Sequence, residues 1–236
     1  MNVEGKNAVM EALKSGATID LVMVEKGQNH PIIAIAREKG IKIQFLDKSV
    51  MDKNSLTKRH QGFIAKTSDF EYCDVSDILD LANERGQDAF VVILDGVEDP
   101  HNLGSIIRVC ECAGVHGIVI PKHRSASVNE TVIRASAGAS EHMLIARVTN
   151  VNSAIEELKE NGVWIYAADM DGDDIYKTDL KGKIGLVIGG EGSGVKKLTK
   201  QLCDKVVALP ICGKVNSLNA SVACGIVVYE ALRQRI

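Results

Sequence analysis

The chain has 236 residues, of which 45% are hydrophobic and 25% are charged, a composition typical of soluble globular proteins. At this length it can bury a sizeable core, and two domains are expected. The first residues lack a basic stretch before an apolar one, and the longest apolar runs are about six residues, far short of a membrane span. We therefore expect a cytoplasmic protein with no secretory signal and no membrane segment.

The cysteines and the charges narrow the class of protein further. Six cysteines are scattered without a C-x-x-C pair, which favours reduced thiols over a disulfide framework, and no ligand spacing suggests a metal. The net charge of −3 is uneven: residues 1–66 carry 11 basic and 7 acidic side chains, whereas residues 67–88 carry one and seven. The N-terminal part is therefore modestly basic, which permits a phosphate-bearing partner.

The first 66 residues alternate helix and strand patterns, which predicts a small α/β unit. Helices are predicted at 7–15, 31–39 and 48–57, and strands at 19–24, 41–46 and 62–67. The basic loop Lys58, Arg59, His60 and Gln61 precedes the last strand. It is either a solvated turn or a contact for an RNA phosphate.

Residues 67–88 are strongly acidic. Their second half could form a helix with Ile78, Leu79 and Ala82 on one face. We interpret the whole segment as an acidic linker, and its charge indicates that it lies away from any phosphate chain.

From Ala89 onwards, longer apolar strands alternate with helices, which predicts a mostly parallel sheet flanked by helices on both faces. Strands are predicted at 90–94, 117–120, 144–148, 163–168, 184–188 and 205–209. Helices are predicted at 102–113, 129–136, 151–161, 194–202 and 217–233.

The first stretch whose residues could form a functional site is L-D-G-V-E-D-P-H-N-L-G-S-I-I-R, residues 94–108. Asn102 stands at the predicted helix start, where its side chain could either cap the helix or serve a site. Arg108 follows six residues later, about 120° around the helix, and could be a surface arginine or a site residue. The pattern alone leaves both alternatives open.

Two later stretches are rich in glycine and in small polar residues. The turn I-G-G-E-G-S-G-V (188–195) lacks both the G-x-G-x-x-G spacing of a dinucleotide site and the G-K-[ST] of a P-loop. In L-P-I-C-G-K-V-N-S-L-N-A-S-V-A (209–223), Ser217, Asn219 and Ser221 crowd the start of a helix. They either cap that helix or form a ligand surface.

Together and in this order, the three stretches resemble the SpoU-type RNA ribose 2′-O-methyltransferases, the TrmH family of the SPOUT superfamily. The segments E-G-K-N-A-V-M-E-A-L and I-R-A-S-A-G-A-S-E-H resemble the branch that methylates a guanosine of 23S rRNA. The resemblance covers nearly the whole chain. It implies a substrate-binding domain at 1–66, the linker at 67–88, and a methyltransferase domain at 89–236 with a C-terminal trefoil knot, a rare exception among folds.

The resemblance also implies a homodimer that binds S-adenosylmethionine in the knot, largely through backbone groups. The implied catalytic residues are Asn102, Arg108, Glu191, Ser217 and Asn219, and the implied donor-binding residues are Gly189, Gly190, Leu209, Ile211 and Leu218. Arg108 would take or steer the proton of the 2′-hydroxyl. Because a guanidinium stays protonated in proteins, its milder role is to bind a phosphate and stabilise the developing alkoxide.

The resemblance also implies roles for the other site residues, and the sequence leaves competing functions open. Asn102 would orient Arg108 or the hydroxyl, while Glu191 and Asn219 would hold the loops and the donor. No metal is needed, because the donor already carries an activated leaving group. The same chemistry on tRNA or on another rRNA nucleotide is the alternative within this class. A non-catalytic RNA-binding ribosome-assembly factor and a dinucleotide-dependent oxidoreductase are the alternatives outside it.

Overall fold

The computed structural model of the chain describes residues 2–15, 19–67, 70–192, 194–215 and 217–236. It forms two compact units, Met1–Glu71 and Tyr72–Ile236. Parts of three predicted features lie outside the described residues: positions 68 and 69 of the acidic linker, Ser193 of the glycine-rich turn and Asn216 of the third stretch.

The first unit is a four-stranded sheet with helices, in the order β1-β4-β2-β3. Its elements are β1 (Asn2–Glu4), α1 (Lys6–Ser15), β2 (Ile19–Glu25), α2 (Pro31–Glu38), β3 (Lys42–Leu46), α3 (Lys48–Asn54) and β4 (Phe63–Thr67). Strand β4 pairs antiparallel with both β1 and β2, whereas β2 and β3 are parallel. The predicted helices and strands are present, and β1 is an additional strand.

The core of the first unit follows the alternation of side chains along β2. Val22 and Val24 belong to a buried cluster with residues of α1 and α2, whereas Met23 packs with Met51 of α3. Helices therefore cover both faces of this small sheet.

The second unit is a six-stranded sheet in which every pair of neighbouring strands is parallel, in the order β10-β8-β9-β5-β6-β7. Its strands are β5 (Phe90–Asp95), β6 (Gly117–Pro121), β7 (Leu144–Val148), β8 (Trp164–Asp174), β9 (Ile184–Gly189) and β10 (Lys205–Ala208). Its α-helices are α4 (Val75–Glu84), α5 (Pro100–Cys112), α6 (Glu130–Ala135), α7 (Val151–Glu160), α8 (Lys197–Leu202) and α9 (Ala220–Arg235). This arrangement confirms the predicted parallel sheet flanked by helices.

The boundary between the units differs from the predicted linker. Helix α4 occupies the second half of residues 67–88, and its residues Val75, Ile78 and Ala82 are buried in the same cluster as strand β5. Asp74 and Asp77 form a capping box at its start, so two of the acidic residues stabilise the helix itself. The segment Val75–Glu84 is therefore part of the second unit's core.

The connection pattern marks one crevice in the sheet. From β5 the chain proceeds to β6 and β7 on one side, whereas β9, β8 and β10 lie on the other side. In parallel sheets, ligands bind at the carboxyl ends of the strands where the order diverges in this way. A ligand site is therefore expected at the carboxyl ends of β5 and β9. Within the described residues, no helix is both long and apolar enough to cross a membrane.

Candidate active site

A cavity of about 310 Å³ opens at the carboxyl ends of β5 and β9, where Asp95 is paired with Gly189. It is lined by Gly96, Val97, Glu98, Asp99, Asn102, Glu191 and Ala220. The cavity thus brings together the loop after β5, the first turn of α5, the turn after β9 and the start of α9. All three of the polar and glycine-rich stretches of the sequence contribute to it.

A buried carboxylate ties the two loops together. Asp95, only 2% exposed, accepts a hydrogen bond from the backbone nitrogen of Lys196 at 3.1 Å and pairs with the Lys196 ammonium group. The Asp95 carbonyl accepts a second bond from the nitrogen of Gly190, also at 3.1 Å. The Asp95–Lys196 pair is absent from the sequence prediction, although Asp95 lies inside the first stretch. It fixes the turn after β9 against β5.

The glycine-rich turn folds back on itself. The nitrogen of Gly194 donates to the carbonyl of Gly190 at 3.1 Å, and Gly192 and Gly194 have φ of 77° and 61°. A Cβ atom on Gly189 would lie 2.1 Å from the carbonyl carbon of Gly194. The packing of the two arms of the turn against each other therefore requires glycine at position 189, independently of any contact with a ligand.

Asn102 lies at the centre of a hydrogen-bonded cluster. Its Nδ2 donates to Oε1 of Glu191 at 3.0 Å, and its Oδ1 accepts from Nδ2 of Asn219 at 3.0 Å. The Asn219 amide nitrogen also donates to Oε1 of Glu191 at 2.6 Å. Three residues predicted for catalysis, each from a different stretch, therefore contact one another directly.

The N-caps of α5 and α9 decide between the alternatives that the sequence left open for Asn102 and Asn219. Helix α5 begins at Pro100, and its N-cap is Asp99, whose carboxylate accepts from the nitrogen of His101 at 2.7 Å. The alternative that Asn102 caps this helix is therefore wrong. Asn219 does both jobs: its Oδ1 caps α9 through the nitrogens of Ser221 and Val222, while its Nδ2 serves the cluster.

Two of the predicted catalytic residues lie outside the cluster. Arg108 is exposed on α5, and Ser217 is exposed before α9. Neither side chain lines the cavity or forms a hydrogen bond or ion pair with another described residue. Six residues of helix place Arg108 about 9 Å along the axis from Asn102. No hydrogen bond joins the Asn102 amide to Arg108 among the described residues, so Asn102 does not orient Arg108 within one chain of this structure.

The residues around the cavity suit a cationic, partly apolar ligand such as S-adenosylmethionine. Glu98, Asp99 and Glu191 supply three carboxylates, and none of them is ion-paired to a cation among the described residues. Ile211 and Leu218, both predicted to bind the donor, are 40% and 41% exposed, so apolar surface is available between β10 and α9. Leu209 is half-buried beside them.

A basic segment lies next to the cavity wall. The hydroxyl of Ser125 and the nitrogen of Ala126 donate to the carbonyl of Val97 at 3.2 Å and 2.8 Å. These bonds hold the exposed residues that precede them: Lys122, His123 and Arg124. The backbone that follows this basic segment is thus anchored to the wall of an acidic cavity.

Three of the six thiols of the second unit, those of Cys73, Cys110 and Cys203, are not poised as nucleophiles. Burial raises the pKa of Cys73 to about 11 and that of Cys203 to about 12. Burial, together with a hydrogen bond to Cys224, also raises the pKa of Cys110 well above its usual value. These groups stay protonated at neutral pH, and a thiolate is the reactive form of cysteine.

The fold and the cavity define an α/β enzyme with a polar site at the divergence point of a parallel sheet. The model of the SpoU rRNA methylase family matches residues 89–229, and the model for RNA 2′-O ribose methyltransferase substrate binding matches residues 2–73. The chain therefore belongs to the SpoU rRNA methylase family. It is an RNA 2′-O-methyltransferase with S-adenosylmethionine as its methyl donor.

Individual relatives agree with this assignment. A protein of Bacillus subtilis (strain 168), named as belonging to the TrmH family of tRNA/rRNA methyltransferases, is 44% identical over 238 residues, covering 99% of this chain and 95% of the relative. A TrmH family protein of Staphylococcus saprophyticus is 42% identical with the same coverage. The crystal structure of an AdoMet-bound rRNA methyltransferase from Sinorhizobium meliloti is 25% identical, with a TM-score of 0.62 over 100% of this chain and 87% of that one.

Proposed function

We propose that this chain methylates the ribose 2′-hydroxyl of a guanosine in 23S rRNA, in the cytoplasm and as a homodimer. The observation that carries the choice of site is the Asn102–Glu191–Asn219 cluster, which joins all three stretches at one cavity. The choice of a 23S rRNA guanosine as the substrate rests on the N-terminal segment and residues 133–142, which resemble the branch of the family that methylates such a guanosine.

In the proposed mechanism, one set of residues holds the site in shape, and a different residue activates the 2′-hydroxyl. S-adenosylmethionine supplies an electrophilic methyl group when bound. Glu191 and Asn219 hold the Asn102 amide in one orientation, so that the first turn of α5 presents a fixed wall to the ribose. The turn at Gly189 and Gly190 and the apolar residues Leu209, Ile211 and Leu218 form the donor-binding side. We expect these two loops to form the predicted trefoil knot.

Arg108 is proposed to bind the phosphate next to the target ribose and to stabilise the negative charge that develops on the 2′-oxygen as the 2′-hydroxyl releases its proton to water. Its exposure and its position along α5 favour action on the cavity of the partner subunit. Ser217, exposed at the start of α9, is proposed to face the same substrate. Lys122 and Arg124, held beside the cavity, are proposed to contact further phosphates.

The proposed dimer interface is the apolar stripe on α9. Val222, Ile226 and Tyr229 lie at helical spacing and are 50%, 36% and 49% exposed, and Ile133 of α6 is 37% exposed. Helix α5, which carries Arg108, packs against both α6 and α9. An interface on this stripe would therefore bring Arg108 close to the second subunit.

Mapping of ribose methylation in RNA from cells with and without the protein tests the substrate. We expect one 2′-O-methylguanosine of 23S rRNA to disappear with the protein, and the purified enzyme to restore it. Loss of a tRNA methylation instead would favour the alternative suggested by the relatives, whose names include both tRNA and rRNA. A protein that shows no measurable affinity for S-adenosylmethionine in calorimetry would be a non-catalytic RNA-binding factor.

A further inference from the structure

The loop of residues 55–61 in the first unit combines high exposure with tight anchoring. Leu56 is 83% exposed, and Lys58 and Arg59 beside it are also exposed. Two residues of the loop that are not glycine, Lys58 and Gln61, adopt positive φ of 57° and 52°. Such conformations persist only where surrounding contacts hold them, and they concentrate at functional sites.

One carboxylate from β1 holds the first half of the loop. Glu4 accepts hydrogen bonds from the hydroxyl of Ser55 at 2.7 Å, from the backbone nitrogen of Leu56, and from both the nitrogen and the hydroxyl of Thr57. The Ser55 and Thr57 hydroxyls in turn accept from the nitrogens of Lys58 and Arg59 at 2.8 Å and 3.2 Å. Every backbone N–H from residue 56 to residue 59 is therefore paired.

These bonds also set the charge of Glu4. Partial burial alone would raise its pKa, but the hydrogen bonds from Thr57, Leu56 and Ser55 outweigh it and lower the pKa of Glu4 from 4.5 to about 2. Glu4 is therefore ionised at any physiological pH, and its negative charge is stabilised by the hydrogen bonds that it accepts from the loop.

The second half of the loop is held by the two residues that the sequence suggested as further phosphate contacts. His60 is buried, with Nδ1 accepting from the nitrogen of Gly62 at 2.9 Å and Nε2 at 3.0 Å from Oδ1 of Asp52. The side-chain oxygen of Gln61 accepts from the nitrogen of Lys6 at 3.1 Å. His60 and Gln61 are anchors, so that Leu56, Lys58 and Arg59 are the groups presented to a partner.

We propose that this loop is an RNA-contacting element of the substrate-binding unit, in which Leu56 packs on an unstacked base and Lys58 and Arg59 bind the phosphates that flank it. Glu4 is its positioning residue. The proposal rests on the RNA substrate described above and adds where that RNA is held. A rigid loop that presents one apolar and two cationic side chains matches single-stranded RNA, because its bases have exposed faces and its backbone is anionic.

Binding of the full-length protein to a fluorescein-labelled RNA stem-loop with an unpaired loop, followed by anisotropy between 50 and 200 mM salt, tests the proposal. We expect the double variant Lys58→Ala/Arg59→Ala to weaken binding about tenfold at low salt and to lower the slope of log K against log salt by about 1.4, or about 0.7 per lost phosphate contact. Leu56→Ser should weaken binding without changing that slope.

The matched control is Arg37→Ala/Lys42→Ala, which removes two exposed charges from the same unit. Lys42 pairs with Leu21, whereas the loop leads into Phe63, which pairs with Val24 at the other end of β2. This control should bind within about twofold of the unmodified protein. Equal losses in the control and in the loop variant would overturn the proposal, since they would show a nonspecific charge effect.

Glu4→Gln tests the positioning role. It should raise KM for RNA several-fold while leaving kcat and the affinity for S-adenosylmethionine unchanged, and Glu4→Asp should restore part of the loss. A fall in kcat with an unchanged KM would contradict it. If the unmodified protein methylates RNA but all loop variants bind as it does, the loop is not a contact, although the enzymatic function stands. If the unmodified protein neither binds nor methylates RNA, the proposed function fails as well.

Discussion

At the scale of single residues, the site depends on an amide that is used at both ends. Asn102 donates to Glu191 and accepts from Asn219, each at 3.0 Å, and it is only 8% exposed. A carboxamide is suited to this position because it has a donor and an acceptor on one planar group. Neither an ionised carboxylate nor an apolar side chain provides both.

Asn102→Asp should therefore give a pH-dependent loss of activity. The substitution places a carboxylate where a donor now lies 3.0 Å from Oε1 of Glu191. The repulsion between two carboxylates at this separation raises the pKa of one of them, so the pair takes up a proton as the pH falls. We expect kcat/KM to fall about tenfold or more at neutral pH, where both are charged, and the deficit to shrink towards pH 5.5 as a proton restores the hydrogen bond. Asn102→Gln is the control: it keeps a neutral carboxamide, so its deficit should be the same at pH 5.5 and at pH 8. Equal deficits of Asn102→Asp at pH 5.5 and pH 8 would contradict this explanation.

Asp95→Ala should destabilise the second unit more than the loss of an exposed ion pair. Asp95 is buried and holds both the backbone nitrogen and the ammonium of Lys196, whereas Asp173, 72% exposed, meets Lys205 at 3.2 Å on the surface. The free energy of unfolding should fall by about 2–3 kcal/mol for Asp95→Ala, because the Lys196 N–H loses its partner. Asp173→Ala should cost about 0.5 kcal/mol or less. Urea unfolding followed through Trp164, the single tryptophan, reports on this unit. Equal losses for the two variants would show that the Asp95 pair does not hold the turn.

At the scale of secondary-structure elements, α4 shows how a short glycine contact fixes a helix to a sheet. A Cβ atom on Gly117, at the start of β6, would lie 2.5 Å from Cδ1 of Ile78 on α4. Ile78 is fully buried, so the space that a side chain at Gly117 would occupy is already filled. This contact belongs to the core of the second unit and stabilises α4 there.

A double-mutant cycle measures that contact. Gly117→Ala should cost about 1–3 kcal/mol by overpacking, and Ile78→Ala should cost about 2–4 kcal/mol by leaving a cavity. Combined, they should cost about 1–2 kcal/mol less than their sum, because truncation of Ile78 makes room for the new methyl group. Gly213→Ala is the control, since a Cβ there would have no neighbour within 4 Å, and its effect should simply add to that of Ile78→Ala. Additivity of the Gly117 pair would contradict the contact.

The elements that local pattern predicts are those with long apolar runs, such as β5 and β9, whose bounds agree with the prediction to within one residue. The three residues of β1 are too few to show an alternation. The acidic residues of α4 indicate a linker, even though the pattern places Ile78 and Ala82 on one helical face. In the site, Pro100 after Asp99 already carried the signal of an earlier helix start, because proline favours the first helical position. The Asp95–Lys196 bond joins residues 101 positions apart, and no local pattern encodes such a contact.

At the scale of the whole molecule, the exposure of Arg108 and the apolar stripe on α9 have a common explanation in the proposed homodimer. A cyclic dimer uses the same surface of both subunits, so two symmetric sites could each take Asn102 from one chain and Arg108 from the other. The stripe of Val222, Ile226 and Tyr229 can be disrupted separately from the site. Ile226→Asp should therefore yield monomers in sedimentation, and those monomers should bind the donor but lack turnover.

Mixing two inactive variants decides whether the site is shared between subunits. We expect Arg108→Ala and Asn102→Ala each to abolish turnover, and Arg108→Ala to keep most of its affinity for S-adenosylmethionine, because Arg108 lies away from the cavity. When the two proteins are unfolded together and refolded, half of the dimers contain one chain of each kind. In such a dimer, one of the two sites takes Asn102 from the Arg108→Ala chain and Arg108 from the Asn102→Ala chain, so it is intact. Activity should therefore return to about a quarter of the wild-type value.

If both residues act within one chain, every site in the mixture carries a lesion and no activity returns. Near-normal turnover of Arg108→Ala alone would remove Arg108 from the mechanism altogether.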